Sequence, residues 1–299
     1  MCYRNKTIGV VIPAFNEELL IGDTLGSIPD FVDRIYAVDD CSMDRTKEII
    51  EDFAKQNPRI ICIGLKKNSG VGGAITAGFK NAINDGIEIM AVMAGDNQMD
   101  PKYLTDLLDP IVEEDADFTK GNRLKPGYWK GMSTWRIFGN YLLNILNKIA
   151  SGYWNIEDPQ NGYVAISSSA LNKLDLEGLY NGYAFENDMM INANVECIRM
   201  HNISIPAKYG NERSKIKYSK FILATSIFLF SSFLWRIWNK YLEKGHPLGI
   251  FYACGCFGVI IGIIFLFIGM WKILVCSSFL FAFACMWESR LGPTYPKIQ

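Results

Sequence analysis

The feature that most constrains this chain is a pattern in its N-terminal third. Four short apolar runs each stop abruptly in polar residues and are each followed by a helix-length amphipathic stretch. The runs are TIGVVIP at 7–13, RIYAV at 34–38, IICIGL at 60–65 and EIMAVM at 88–93, spaced roughly 25 to 30 residues apart. Apolar runs of strand length without polar alternation are buried on both faces, as strands of a parallel sheet are. Strand and helix in regular succession predict an α/β fold, with a mostly parallel, doubly wound sheet flanked by helices. In such sheets ligands bind beyond the carboxyl ends of the strands.

The residues at those ends are therefore the first candidates for a site. Pro13, Ala14, Phe15, Asn16 and Glu17 follow the first run, and Asp39 and Asp40 the second. Asn68, Gly70 and Ala74 belong to NSGVGGA after the third, and Asp96, Asn97, Gln98 and Asp100 follow the fourth. All four groups should converge on one crevice. Acids at the second strand end can accept hydrogen bonds from a base N–H or a ribose hydroxyl. The glycines let backbone approach a ligand at a helix N-terminus, where anions are favoured, or let a helix pack tightly. As a dinucleotide fingerprint GVGGA is poor, because it follows the third strand rather than the first. Asp96 and Gln98 can present oxygens to one hard cation, and Mg²⁺ or Mn²⁺ holding a substrate diphosphate is the matching guest. A polar turn capping the helix that Pro101 starts is the plainer reading of the same residues.

Composition narrows the function classes. A formal net charge of −1 indicates neither a nucleic-acid surface nor an acidic tail, so no nucleic-acid partner is expected. The chain has only His201 and His246, neither next to an acid or Cys at ligand spacing, which argues against histidine-based catalysis. Its 8 cysteines form no CxxC pair, and Cys254, Cys256, Cys276 and Cys285 lie in apolar segments, so they read as reduced thiols. Hydrophobic residues make up 49% of the chain, with a mean hydropathy of +0.09, and the excess lies at the C-terminus. Residues 248–271 contain no charge and predict a transmembrane helix. Residues 273–287 predict a second, tilted or partly extended helix that completes a hairpin. The uncharged stretch 221–235 reaches only about 22 Å as a helix, so it is expected to lie in the interface with Trp235 and Trp238 at headgroup depth, a third span being the alternative. Arg236, Lys240, Lys244 and Arg290 flank the hairpin, which puts its ends and the catalytic domain in the cytoplasm. The expected division is a catalytic domain at 1–215, an amphipathic juxtamembrane helix at 216–247, the hairpin at 248–290 and a tail at 291–299.

Taken together, VVIPAFNEE, VDDCSMDRT, NSGVGGAITAGF and AGDNQMDP resemble the inverting glycosyltransferases of family 2, which have the GT-A fold. The likeness is greatest to the branch containing dolichyl-phosphate mannosyltransferases and bacterial polyprenyl-phosphate glycosyltransferases. The resemblance implies that Pro13, Ala14, Phe15, Glu17, Asp39 and Asp40 face the nucleoside, and that Asp96 and Gln98 face the metal and diphosphate. One departure stands out: the first Asp of the family's Asp-x-Asp is Ala94 here. Gly121-Asn122-Arg123 matches the family's Gly-x-Arg turn, and Arg136 a phosphate-facing position. DPQNGY at 158–163 resembles the acceptor loop Asp-x-x-Ser-Gly-Phe-Arg, which brings in Asp158, Gln160 and Asn161. Glu186 is expected on the acceptor side. GNERSK at 210–215 resembles a membrane-proximal Arg-x-x-Gly-x-Ser-Lys motif and adds Arg213 and Lys215.

The expected activity is inverting transfer of a sugar from a nucleotide diphosphate sugar to a membrane polyprenyl or dolichyl phosphate. Asp96 and Asp158 would be the catalytic carboxylates, with Mg²⁺ or Mn²⁺ as cofactor; homo-oligomerisation is left open. Two alternatives remain at this level: a transferase acting on a sugar hydroxyl of a lipid-linked glycan or polysaccharide, and a catalytically idle, membrane-anchored nucleotide-sugar-binding module.

Overall fold

The computed structural model describes residues 3–123, 134–206, 218–265 and 271–292; for 134–140 and 218–222 it describes the backbone alone. The four apolar runs form β1 (Ile8–Ala14), β2 (Arg34–Asp39), β3 (Ile60–Gly64) and β4 (Ile89–Val92). Between them run α1 (Ile21–Ser27), α2 (Thr46–Gln56) and α3 (Gly70–Asn84). After β4 come α4 (Leu104–Val112), β5 (Phe118–Asn122), α5 (Thr134–Ser151), β6 (Val164–Ser167), a short α6 (Ser168–Leu171), α7 (Phe185–Val195) and β7 (Met200–Ser204). One sheet holds all seven strands in the order β3-β2-β1-β4-β6-β5-β7. The β3, β2, β1 and β4 strands are parallel; β6 runs antiparallel to both β4 and β5, and β7 is parallel to β5.

Both faces of the sheet are buried, which is why its strands read as unbroken apolar runs. Val10 and Ile12 of β1 pack in one layer with Ile21, Ile50 and Leu108, while Val11 faces the other with Phe79, Phe185 and Met190. One expectation fails locally. The helix-length stretch that follows the first apolar run becomes helical only at Ile21, past Asn16, Glu17 and Glu18. The backbone N–H groups of those three residues are drawn across to the loop after β2, donating to Ser42 Oγ, Thr46 Oγ1 and Asp44 Oδ2 at 3.0, 2.8 and 3.2 Å.

The C-terminal helices are α8 (Tyr218–Ile237), which widens into a π-type turn at Trp238–Leu242, then α9 (Pro247–Ile264) and α10 (Trp271–Leu291). The α9 and α10 helices are long and apolar enough to cross a membrane, with mean hydropathies of 2.1 and 1.4. α10 is a regular 21-residue helix, longer than the 273–287 segment and not extended in part. The two pack closely because glycines face the contact: a Cβ on Gly255 would lie 3.0 Å from Phe281 Cα, and one on Gly262 would lie 2.6 Å from Leu274 Cα. On α8, Leu229, Phe233 and Ile237 turn inward, whereas Leu223, Ile227, Phe230, Leu234 and Trp238 form an exposed apolar stripe.

Where the C-terminal helices meet α5 and α7, apolar packing gives way to a buried polar hub. Glu288 of α10 accepts hydrogen bonds from the Arg236 guanidinium and from the hydroxyls of Tyr241 and Tyr252, the latter two both at 2.7 Å. Arg236 also donates to Ala150 O and Ile149 O, carbonyls of the last turn of α5, at 2.7 and 3.0 Å. Lys240 Nζ donates to both oxygens of Asn194 on α7 at 2.7 and 2.8 Å. Burial, with the Arg236 charge acting in the same direction, lowers the Lys240 ammonium to about 7. Seven described cysteines, Cys285 among them, are free thiols.

Candidate active site

At the carboxyl ends of β1, β2 and β4 the chain turns through left-handed residues, Asn16, Cys41 and Asn97, with φ of 55°, 62° and 56°. These turns, the start of α3 and the loops after β5 and before β6 enclose two adjoining cavities. The larger, about 490 Å³, is lined by Pro13, Ala14, Phe15, Glu17, Asp40, Asn68, Gly70, Ala74 and Asp96 from the expected nucleotide set, and by Tyr183. Asn16 and Asp39 of that set do not line it. Asn16 Oδ1 accepts from Met43 N at 2.9 Å, and the buried Asp39 carboxylate accepts from Ser42 N at 3.2 Å, so both shape the turn after β2.

Asp40 joins the cavity wall to α3. Its Oδ1 accepts from Ser69 N at 2.6 Å and its Oδ2 from Gly70 N at 2.9 Å, so a carboxylate caps the start of α3. Burial raises the Asp40 pKa, and these two N–H donors offset part of that rise. Gly72 N donates to Asn181 O at 3.0 Å. A Cβ on Gly72 would come within 2.6 Å of both Phe185 Cδ2 and Tyr180 O. Close packing is realised at these glycines: the segment before α7 lies on them, and the N–H groups of Ser69, Gly70 and Gly72 have acceptors within the protein.

The smaller cavity, about 230 Å³, is lined by Asp96, Gln98, Asp100, Arg123, Gln160, Asn161 and Glu186 among others. Pro13, Val71, Ala94 and Asp96 line both cavities, so Asp96 stands at the point where they meet. Gln98 N donates to Asp96 Oδ1 at 3.0 Å, closing a turn through Asn97 that brings both side chains to the smaller cavity. Among the described residues no group of three His, Cys, Asp or Glu forms a ligand set. Asp96 and Gln98 nevertheless fit a hard divalent cation as a partial, all-oxygen site, because Mg²⁺ keeps several waters and takes substrate phosphates as ligands. Ala94 contributes no oxygen to that site.

Strand β5 fastens the loop beneath the smaller cavity at three points. Asn122 Nδ2 donates to Glu157 Oε2 at 2.7 Å, and the Lys120 ammonium donates to the Asn161 carbonyl. Arg123 grips Asp158 through its backbone N, Nε and Nη2 at 3.0, 2.8 and 3.2 Å. Asp158 is thus a buried partner of Arg123 and not a cavity-lining residue. Gln160 Nε2 ties the same loop to Asn187 Oδ1 of α7 at 3.0 Å. Burial raises the Glu186 pKa, and the Lys120 charge holds it down in part. Asp188, at the start of α7, accepts from Tyr180 N at 2.8 Å. Arg136 lies near the start of α5, with its side chain outside the described residues, and Arg213 and Lys215 lie outside them altogether. Sequence reasoning missed Lys120 and Tyr183; for Lys120 the signal was a lysine inside a short strand immediately before Gly121-Asn122-Arg123.

Residues 9–175 match Glycosyl transferase family 2. Over 204 residues, 68% of this chain and 82% of its relative, the sequence is 32% identical to an uncharacterized protein of Methanocaldococcus jannaschii. It is 29% identical to the UDP-N-acetylglucosamine–dolichyl-phosphate N-acetylglucosaminyltransferase of Methanococcus voltae, over 75% of this chain and 94% of that one. It is 30% identical to the undecaprenyl-phosphate mannosyltransferase of Micrococcus luteus, over 60% and 74%. Among solved structures, glucosyl-3-phosphoglycerate synthase from Mycobacterium tuberculosis, in complex with Mn²⁺, UDP and glucosyl-3-phosphoglycerate, superposes with a TM-score of 0.54 at 18% identity, covering 78% of this chain and 80% of that one. The likeness to that enzyme concerns the fold alone. With its mixed seven-stranded GT-A sheet and the match over 9–175, the chain belongs to glycosyl transferase family 2 and is a glycosyltransferase.

Proposed function

We propose that this glycosyltransferase moves a sugar from a nucleotide diphosphate sugar to a membrane polyprenyl phosphate, with inversion at the anomeric carbon. The observation that supports this most is the pair of cavities meeting at Asp96 in a domain fastened to an apolar helical hairpin. The larger cavity suits the nucleoside diphosphate and the smaller the acceptor head, so the transferred sugar would lie between them. Two relatives whose names specify dolichyl or undecaprenyl phosphate lend weight to the choice of acceptor. The exposed stripe on α8 suits a helix lying in the interface, with the hairpin spanning and the catalytic domain on the cytoplasmic face. The division at 215, 247 and 290 belongs to the same reading.

In this reading the acceptor phosphate oxygen forms the new bond to the anomeric carbon as the bond to the diphosphate oxygen breaks on the opposite face. A phosphate monoester is already anionic near pH 7 and needs little help from a base. Asp158 accordingly orients Arg123 and takes no proton, and Arg123 directs its guanidinium at the incoming phosphate. Asp96 and Gln98 would hold a divalent cation, which when bound supplies charge neutralisation for the departing diphosphate. Glu186 gives a hydroxyl-acceptor reading one specific support: its carboxylate lines the acceptor cavity, and burial raises its pKa.

The test is to incubate membranes with radiolabelled nucleotide sugars and either a polyprenyl phosphate or a lipid-linked sugar, then extract the lipid product. Label on the polyprenyl phosphate is expected. Label on the lipid-linked sugar alone would overturn the reading.

A further inference from the structure

Lys120 lies in the middle of β5 with 1% of its surface exposed. Successive strand residues point to opposite faces, and Thr119 turns toward α4, where its hydroxyl donates to Leu107 O at 2.7 Å. Lys120 therefore leaves the sheet on the other face and reaches the Asn161 carbonyl. A methionine would fill such a position without the cost of taking a charge out of water. What the ammonium gains there is a set of partners that all belong to the acceptor half of the site: Glu186 from α7 and Asp158 from the loop before β6 favour its charged form, while Arg123 at the end of β5 opposes it. Burial is the largest influence and lowers Lys120 to about 8.

We propose that Lys120 is a positioning residue of the acceptor site, fixing the Asn161 backbone and balancing the Glu186 carboxylate so that an anionic acceptor can enter. The inference rests on the phosphate-acceptor reading above. Asp96, Asp100 and Glu186 line the acceptor cavity, and Arg123 there is already paired with Asp158. Without the ammonium, the cavity keeps its acids and its loop loses one of three ties to β5. A phosphate would then meet net repulsion, whereas the donor cavity, which neither Arg123 nor Glu186 lines, would be unaffected; Lys120 itself lines neither cavity and acts through Asn161 and Glu186.

The experiment uses the full-length protein, a short-chain polyprenyl phosphate and a titration of nucleotide sugar, with wild type beside Lys120→Met and the double variant Lys120→Met/Glu186→Gln. Lys120→Met is expected to lose on the order of 10 to 100-fold in kcat/KM for the acceptor, the scale of a hydrogen bond to a charged group, with donor affinity within about twofold. Wild-type acceptor kcat/KM should fall as pH rises through about 8, where Lys120 gives up its proton, and that limb should be missing from Lys120→Met. The double variant should recover part of the loss, since it removes the carboxylate that the ammonium balances. Equal losses for donor and acceptor, or a pH limb that survives in Lys120→Met, would overturn the proposal. Should Lys120→Met not fold, Lys120→Arg takes its place: acceptor kcat/KM and donor affinity lowered equally in it would overturn the proposal, while a loss confined to the acceptor is expected. If wild type glycosylates no phosphate acceptor, the functional reading fails; if it does and Lys120→Met matches it, only this inference fails.

Discussion

Arg123 and Asp158 form an ion pair whose two ends have very different environments, and that asymmetry yields a quantitative prediction. The Asp158 side chain is 3% exposed and the Arg123 side chain 40%. Arg123→Ala strips Asp158 of the Nε and Nη2 donors and leaves a carboxylate in the interior with the residue-123 backbone N–H as its remaining donor from that residue. Removing one partner from a buried charge costs roughly 3 to 5 kcal/mol, and the surviving backbone bond puts this case near the lower end. Asp158→Asn keeps an oxygen for that backbone N–H and frees a guanidinium that water can reach, so it should cost about 1 kcal/mol, as exposed pairs do. The two variants should thus differ by about 2 kcal/mol, with Arg123→Ala the less stable. Urea unfolding of the purified protein in detergent, followed through tryptophan fluorescence, gives both values from the shift in midpoint at constant m. Equal losses, or a larger loss for Asp158→Asn, would mean that the pair is solvated in solution and that Asp158 is not the buried end.

Asp96→Ala should abolish transfer and remove the Mg²⁺-dependent part of nucleotide binding, read by calorimetry with and without the metal, whereas Ala94→Asp should leave the unfolding midpoint unchanged. At Asp117, burial raises the pKa but hydrogen bonds and charge from Arg199 outweigh it, and the net shift is downward. A depressed carboxylate contributes stability above its unfolded pKa and loses it as pH falls through the folded one, so Asp117→Asn should cost roughly 1 kcal/mol at pH 7 and nothing in strong acid, as measured by unfolding across that range. Glu288→Leu should cost roughly 3 to 5 kcal/mol by leaving Arg236 buried and unpaired, and Arg236→Met on top of it should recover part of that, seen in the same unfolding assay.

The strands and the site were legible to different degrees. The first four strands could be read directly, because burial on both faces writes an unbroken apolar run. The reversal of β6 could not, since a short apolar run has the same pattern whichever way it pairs. The start of α1 could not be read, because Asn16, Glu17 and Glu18 carry helix-opening chemistry that the loop after β2 takes for itself. Residues 273–287 fell short of α10 because Glu288 looked like the end of an apolar run, and its counter-charge lies 52 residues away on α8. The cavity-lining residues at the strand ends were found by position alone. Lys120 and the Arg123–Asp158 pair were not, for their partners lie 41 and 35 residues off, and spacing along a chain does not encode contacts across a sheet.

The hub around Glu288 also bears on how the protein is made. A ribosome releases Arg236 and Lys240 well before Glu288, so α5 and α7 wait for the carboxylate that completes their junction until both helices of the hairpin have been synthesised. In that interval two cations near a half-built interface have Asn194 and helix-end carbonyls to bind but no opposing charge from α10. Completion of the junction at α5 and α7 therefore waits for synthesis of the whole α9–α10 pair. A chain whose α9–α10 pair fails to dock presents an unfinished junction at α5 and α7, a form open to proteolysis.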